Sequence, residues 1–135
     1  MVRKRSQPLY VAGIIERFDN TMLIVRPHDE GEARSNWIFP RGPAGDDESP
    51  EEAMRRLART QLGIDVEVIV GQPPLVETID GQRVELRVYF CGVQHEASHT
   101  HAYAESRWIN KAHLSEYDFD RVSQPIVDWL IEYRR

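Results

Sequence analysis

The stretch from Trp37 to Ile64, W-I-F-P-R-G-P-A-G-D-D-E-S-P-E-E-A-M-R-R-L-A-R-T-Q-L-G-I, constrains the fold more than any other part of the chain. It reads as a short strand, a Gly-rich loop, a capped helix, a glycine stop and a new strand. Ser49 suits the N-cap, and Pro50 suits the first helical position, where no N–H is needed. Glu52, three residues after Ser49, completes a capping box. Gly63 follows the last apolar residue and suits a left-handed stop. The pattern predicts a helix from Pro50 to Leu62. With a period of about 3.6 residues, Ala53, Met54, Leu57, Ala58 and Leu62 share one arc, with Gln61 inside it. Glu52, Arg55, Arg56, Arg59 and Thr60 face away.

This frame resembles the signature of the Nudix family, whose members hydrolyse nucleoside diphosphates linked to another moiety. The signature is Gly, five residues, Glu, seven residues, then Arg-Glu-apolar-any-Glu-Glu-any-Gly-apolar. Gly42, Glu48, Arg56, Ala58, Gly63 and Ile64 fall on it with no gap, and Trp37-Ile38-Phe39-Pro40-Arg41-Gly42 looks like the usual entry into the loop. The three glutamates of the core are Leu57, Thr60 and Gln61 in this chain. The resemblance implies an α/β/α sandwich, with a mixed sheet between helices. It also implies a Mg²⁺ or Mn²⁺ site, since in the family the positions of Leu57 and Gln61 aim two carboxylates at a divalent ion.

Mg²⁺ takes hard oxygen ligands in octahedral geometry, commonly with one or two carboxylates. The resemblance leaves Glu48, the Gly42 carbonyl, the Gln61 amide oxygen and Glu105 for that role. An amide oxygen supplies a dipole rather than a charge. Losing even a supporting partner of a metal costs ~10–100-fold in affinity or activity. The expectation is a Nudix fold with a depleted metal site and weak or no hydrolysis by the usual mechanism. The alternative is a non-catalytic nucleotide-binding or regulatory module. The catalytic candidates are Glu48, Arg56 and Glu105. Each has a plainer reading: Asp46, Asp47 and Glu48 suit a helix start through the macrodipole, Arg56 suits a pair with Glu52 at i,i+4, and Glu105 suits a loop carboxylate.

The rest of the chain fills out the frame. Leu9 to Glu16 reads as a buried strand, with Gly13 at a bulge or a close backbone approach. Asp19-Asn20 turns into a strand over Thr21 to Arg26. In the family the second strand ends with a basic residue near substrate, which makes Arg26 a substrate-binding candidate; a charge at a strand end is the ordinary alternative. Pro27 to Asn36 is a polar loop, Trp37 to Phe39 a short strand and Pro40 to Asp47 a loop, in which Arg41 is a phosphate-binding candidate, with a solvated side chain as the equal alternative. Ile64 to Val70 is β-branched and reads as a strand. Leu75 to Ile79 and Arg83 to Val93 flank Asp80-Gly81, a tight-turn signal. Val84, Leu86, Val88 and Phe90 share one face of the latter strand. Tyr89, on the other face, is a candidate base-pocket residue, although strand tyrosines are commonly half-buried packing groups.

His95, His99 and His101 raise a transition-metal site, but no further ligands follow at zinc-like spacing, and a polar loop accounts for the run. Glu105-Ser106-Arg107-Trp108-Ile109 resembles the Glu-x-x-Trp-apolar element of Nudix sequences, in which the acid adds a metal ligand or general base. Asn110 to Tyr117 suits a short helical turn and Val122 to Tyr133 an amphipathic helix. The run Asp118 to Ile126, into the start of that helix, resembles the C-terminal element of MutT-type members, which place a purine-reading asparagine where Ser123 stands. Serine lacks the paired donor and acceptor of an amide, so oxidised-guanine specificity is unsupported.

At 135 residues the chain suits a single domain, with Met1 to Pro8 as a basic tail lacking the apolar segment of a signal peptide. A net charge of −5 gives no global attraction to nucleic acid polymers or anionic membranes. The single cysteine, Cys91, fits a reducing cytoplasm. The expected partner is a nucleotide or nucleoside diphosphate derivative, and a homodimer is left open.

Overall fold

The computed structural model describes residues 7–29, 36–96 and 102–133. Its first strand, β1 (Leu9–Glu16), alternates side chains between two cores. Val11 and Ile15 enter one, while Ala12 and Ile14 enter the other. Burial on both sides requires a sheet covered on both faces.

That sheet has seven strands among the described residues. β2 is Thr21–Arg26, β3 Arg41–Pro43, β4 Ile64–Gly71, β5 Leu75–Ile79, β6 Gln82–Glu96 and β7 Glu105–Asn110. The order is β4-β6-β1-β2-β7, with β3 paired to β1 and β5 to β6. The β1–β6 pairing is parallel and the others are antiparallel, so the sheet is mixed. Helix α1 (Pro50–Leu57) packs Ala53, Met54 and Leu57 on one face. Helix α2 (Gln124–Glu132) packs Ile126, Val127 and Leu130 on the other, joined by Leu114 from a 3₁₀ turn over Lys111–Glu116. The result is the expected α/β/α sandwich. No described helix is long and apolar enough to cross a membrane.

Three local expectations are revised. The helix predicted to Leu62 is α-helical only to Leu57; Ala58–Leu62 form a π-helical turn closed by Gly63 at φ 67°. The left-handed glycine stop is therefore present, but the wider turn precedes it. Trp37 to Phe39 make only isolated bridges, Val25 with Ile38 and Trp37 with Phe119, whereas Arg41–Pro43, expected in a loop, pair as β3 with β1. The second face of β6 is also partly covered, because Tyr89 and Cys91 lie under α1. The Asp80-Gly81 turn is present, with φ of 51° and 77°. His99, His101 and the tail over residues 1–6 lie outside the described residues.

Met54 of α1 packs closely over Gly13 of β1. A Cβ there would stand 2.6 Å from Met54 Cε, so the tip of that side chain would have to shift. The capping box fixes where the helix begins: the Glu52 amide donates to Ser49 Oγ at 3.1 Å, and the Ser49 amide to Glu52 Oε1 at 3.0 Å. Replacing Ser49 by Ala should lower stability by ~1 kcal/mol in urea unfolding. An unchanged midpoint would show that the box does not hold the helix start.

Candidate active site

Gly42 lies on β3, and the helix that follows its loop returns directly over it. A Cβ at Gly42 would be 2.6 Å from Leu57 Cδ1 and 3.6 Å from Gln61 Nε2. The signature positions Gly42, Leu57 and Gln61 thus converge. Leu57 is 1% exposed and fills the approach to Gly42 with methyl groups. Thr60 is exposed, on the outer side of the π turn. Gln61 is tied through its carbonyl: the Tyr103 hydroxyl donates to Gln61 Oε1 at 2.6 Å. Burial pushes the Tyr103 phenol upward, against the backbone hydrogen bond and charge of Arg41.

Glu48, at the end of the loop, meets Arg56 of α1. Arg56 Nε donates to Glu48 Oε2 at 2.7 Å, and its Nη2 donates to Glu48 Oε1 at 3.0 Å and to the Pro43 carbonyl at 2.9 Å. The Gly45 amide donates to Glu48 Oε1 at 2.8 Å. This network pins the loop to the helix and raises the Arg56 pKa, chiefly through the Glu48 hydrogen bond. Arg56 pairs with Glu48 rather than with Glu52, which is engaged in the capping box.

Arg26 and Glu105 are register partners across β2 and β7. Arg26 Nε and Nη2 both lie 2.7 Å from Glu105 Oε1, and Nη1 donates to Asp29 Oδ1 at 2.7 Å. The Glu105 hydrogen bond raises the Arg26 pKa most. The pair borders a cleft of about 400 Å³ with Trp37, Arg107, Tyr117 and Asp118. Arg107 lies 5.3 Å from the Trp37 ring centre and 5.9 Å from that of Tyr117.

Arg41 and Ser123 meet through Asp120. Its Oδ2 accepts from Arg41 Nη2 at 2.8 Å, and its Oδ1 accepts from the Ser123 amide at 2.8 Å. Ser123 is buried, and Arg41 Nη1 is buried with no hydrogen-bond partner among the described residues. Tyr89 lies in the α1-side core, where its hydroxyl donates to Glu51 Oε1 at 2.8 Å. His95 is the register partner of Asp65, on the outer strand β4.

The candidate residues therefore form three groups. Glu48 with Arg56 brackets the Gly42–Leu57–Gln61 contact, Arg26 holds Glu105, and Asp120 links Arg41 to Ser123. Among the described residues, no three His, Cys, Asp or Glu side chains converge as metal-binding groups. Tyr103 and Asp120 were not singled out from sequence. The signal for Tyr103 was a lone aromatic residue in a polar run two positions before Glu105.

The sequence matches the NUDIX domain family over residues 7–130. The chain belongs to the Nudix family. It is 25% identical over 124 residues to the CTP pyrophosphohydrolase of Escherichia coli K12, covering 92% of this chain and 91% of that one. Its fold is similar to the solution structure of the E. coli ORF135 protein, with a TM-score of 0.79 and 22% identity over 94% of this chain and 90% of the other. A MutT structure from work on Aliivibrio salmonicida and Vibrio cholerae aligns with a TM-score of 0.68 and 26% identity, covering 93% of this Nudix chain and 97% of MutT.

The buried core beneath this Nudix helix carries a titration signature. Burial, followed by the Glu51 hydrogen bond, pushes the Tyr89 phenol from 10.0 up to about 12. Burial pushes the Cys91 thiol from 9.0 up to about 12. Both groups ionise more readily in the unfolded chain, so their stabilisation is complete below pH 9 and is lost as pH rises towards 12. Unfolding measured across that range should show a fall in stability, and Tyr89→Phe should flatten its upper part. An identical profile in the variant would contradict the buried, neutral phenol.

Proposed function

We propose that this Nudix protein holds a nucleoside diphosphate derivative in its cleft, with weak or no hydrolysis by the family's metal-dependent route. The observation that carries this reading is the Leu57–Gly42 contact, with the Gln61 carbonyl bound by Tyr103. A divalent ion there would meet methyl groups and a neutral amide. This donor set does not fit Mg²⁺ or Mn²⁺, which favour charged oxygens. Glu48 and Glu105, the remaining carboxylate candidates, each engage an arginine.

The cleft keeps features suited to an anion. Arg41 Nη1, outside that cleft's lining, is buried with no hydrogen-bond partner among the described residues, and a phosphate oxygen would offset its desolvation once the side chain shifts to meet it. Asp120 holds the same guanidinium in position through Nη2. Trp37 and Tyr117 give the Arg26–Glu105 cleft aromatic walls suited to a base or sugar. The nucleotide class is supported by the names of the relatives, a CTP pyrophosphohydrolase above all.

Residual Mg²⁺- or Mn²⁺-dependent hydrolysis is the second reading, favoured by the retained Gly42, Glu48 and Arg56 frame and by that relative. Thermal-shift and turnover measurements over nucleotides, sugar nucleotides and dinucleoside polyphosphates, with and without EDTA, separate the two. The proposed function predicts stabilisation by at least one ligand in EDTA, lost in Arg41→Ala, with little turnover. Robust metal-dependent turnover that Glu48→Gln abolishes would support the second reading instead.

A further inference from the structure

Strand β3 pairs with β1 alone, and two bonds at its ends fix which way its backbone faces. The Gly13 amide donates to the Pro40 carbonyl at 2.9 Å, and the Ala44 amide to the Leu9 carbonyl at 2.8 Å. In an antiparallel ladder, hydrogen-bonded and non-hydrogen-bonded pairs alternate. Val11 and Gly42 are therefore a hydrogen-bonded pair, and Ala12 and Arg41 a non-hydrogen-bonded one. The Gly42 N–H faces β1. The Arg41 N–H faces the opposite way, towards the open edge of β3, where a covered donor needs a partner from outside the ladder.

Tyr103 supplies that partner. Its hydroxyl accepts from the Arg41 amide and donates to Gln61 Oε1 at 2.6 Å. The neighbouring Ala104 amide bonds the Arg26 carbonyl at 2.8 Å, which continues the β2–β7 ladder and fixes the backbone beside Tyr103. The phenol ring packs against the α1-side core. Gln61 belongs to the π turn over Ala58–Leu62, and its Nε2 lies 3.6 Å from where a Gly42 Cβ would stand. Single π turns of this kind are frequent at functional sites. One hydroxyl thus joins β3 to the π turn, from a side chain anchored at the approach to β7.

We propose that Tyr103 is a positioning residue: its hydroxyl ties the Arg41 backbone to the π turn and fixes the pivot from which the Arg41 guanidinium reaches a ligand's phosphate. The far end of the same side chain is held by Asp120, with Nη2 2.8 Å from Oδ2. A hydroxyl suits the tie because it uses both of its roles, accepting from an N–H and donating to a neutral amide oxygen. A divalent ion in its place would face the positive end of the Arg41 N–H. The bond network therefore does without a cation what carboxylates and an ion would otherwise do, joining the signature loop to the end of its helix. The phosphate contact rests on the nucleotide reading; the tie does not.

Amide hydrogen exchange of the full chain, resolved by residue with NMR, reads the tie without any ligand. The Arg41 amide should be protected in the wild type. Tyr103→Phe keeps the ring and removes only the hydroxyl; it should speed Arg41 exchange ~tenfold or more and leave Gly42, bonded to β1, unchanged. Gln61→Leu should act in the same direction, and the double variant should add little to Tyr103→Phe, since both break one hydrogen-bond network. An unprotected Arg41 amide in the wild type, equal acceleration at Gly42, or losses that multiply would overturn the proposal. Inorganic pyrophosphate binding in EDTA then reads the positioning. Tyr103→Phe should weaken it ~threefold or more, with far-UV circular dichroism unchanged. Wild-type affinity in that variant would overturn the positioning role. A wild type that binds no pyrophosphate although its Arg41 amide is protected would instead sink the nucleotide reading, and the phosphate contact with it, while confirming the tie.

Discussion

The approach of Leu57 to Gly42 is the contact on which the seating of the signature helix over its loop depends. Only a residue without a side chain leaves room for the leucine methyl, since a Cβ would lie 2.6 Å from it. Met54 approaches Gly13 in the same way, and together the two contacts seat α1 against β3 and β1. Close packing of this kind resists adjustment, because interiors leave few voids. A carboxylate at position 57 would be strongly desolvated there and would need a cation or donors to offset that cost. Leucine removes the need, so the scaffold closes on itself with apolar contact.

The polar groups around that contact are arranged to match. Glu48 meets Arg56, Glu105 meets Arg26 and Asp120 meets Arg41. Pairs that are partly exposed contribute little stability each. Their larger effect is on character: the retained acids sit beside fixed positive charge instead of forming an acidic nest. Tyr103 extends the pattern by giving the Gln61 carbonyl a neutral partner. Among the described residues, Arg41 Nη1 is the one buried side-chain donor left without a hydrogen-bond partner.

Much of this was legible in the sequence because the signals were local. The Ser49–Glu52 box, Gly63 stop, Asp80-Gly81 turn, buried strand β1 and alternation of β6 each depend on a few neighbouring residues, and each is present. The π turn was not legible, since Ala58 to Leu62 fit an α-helical stripe equally well and only tertiary packing selects the wider turn. β3 was hidden because Arg41-Gly42-Pro43 has no strand propensity; pairing with β1 makes it a strand. The arginine partners of Glu48, Glu105 and Asp120 lie 8, 79 and 79 residues away in sequence, distances at which spacing carries no information. The register shift in β4 between Val68 and Val70 is likewise a property of pairing rather than of composition.

The proposed function rests on hydrocarbon and a neutral amide standing at the signature positions of Leu57 and Gln61. Mn²⁺ titration followed by electron paramagnetic resonance tests it most directly, using the wild type and the Leu57→Glu/Gln61→Glu double variant without nucleotide. The wild type should show no saturable site, and the double variant should bind Mn²⁺ at least tenfold more tightly. Tight, one-to-one binding by the wild type that the two glutamates do not improve would contradict it.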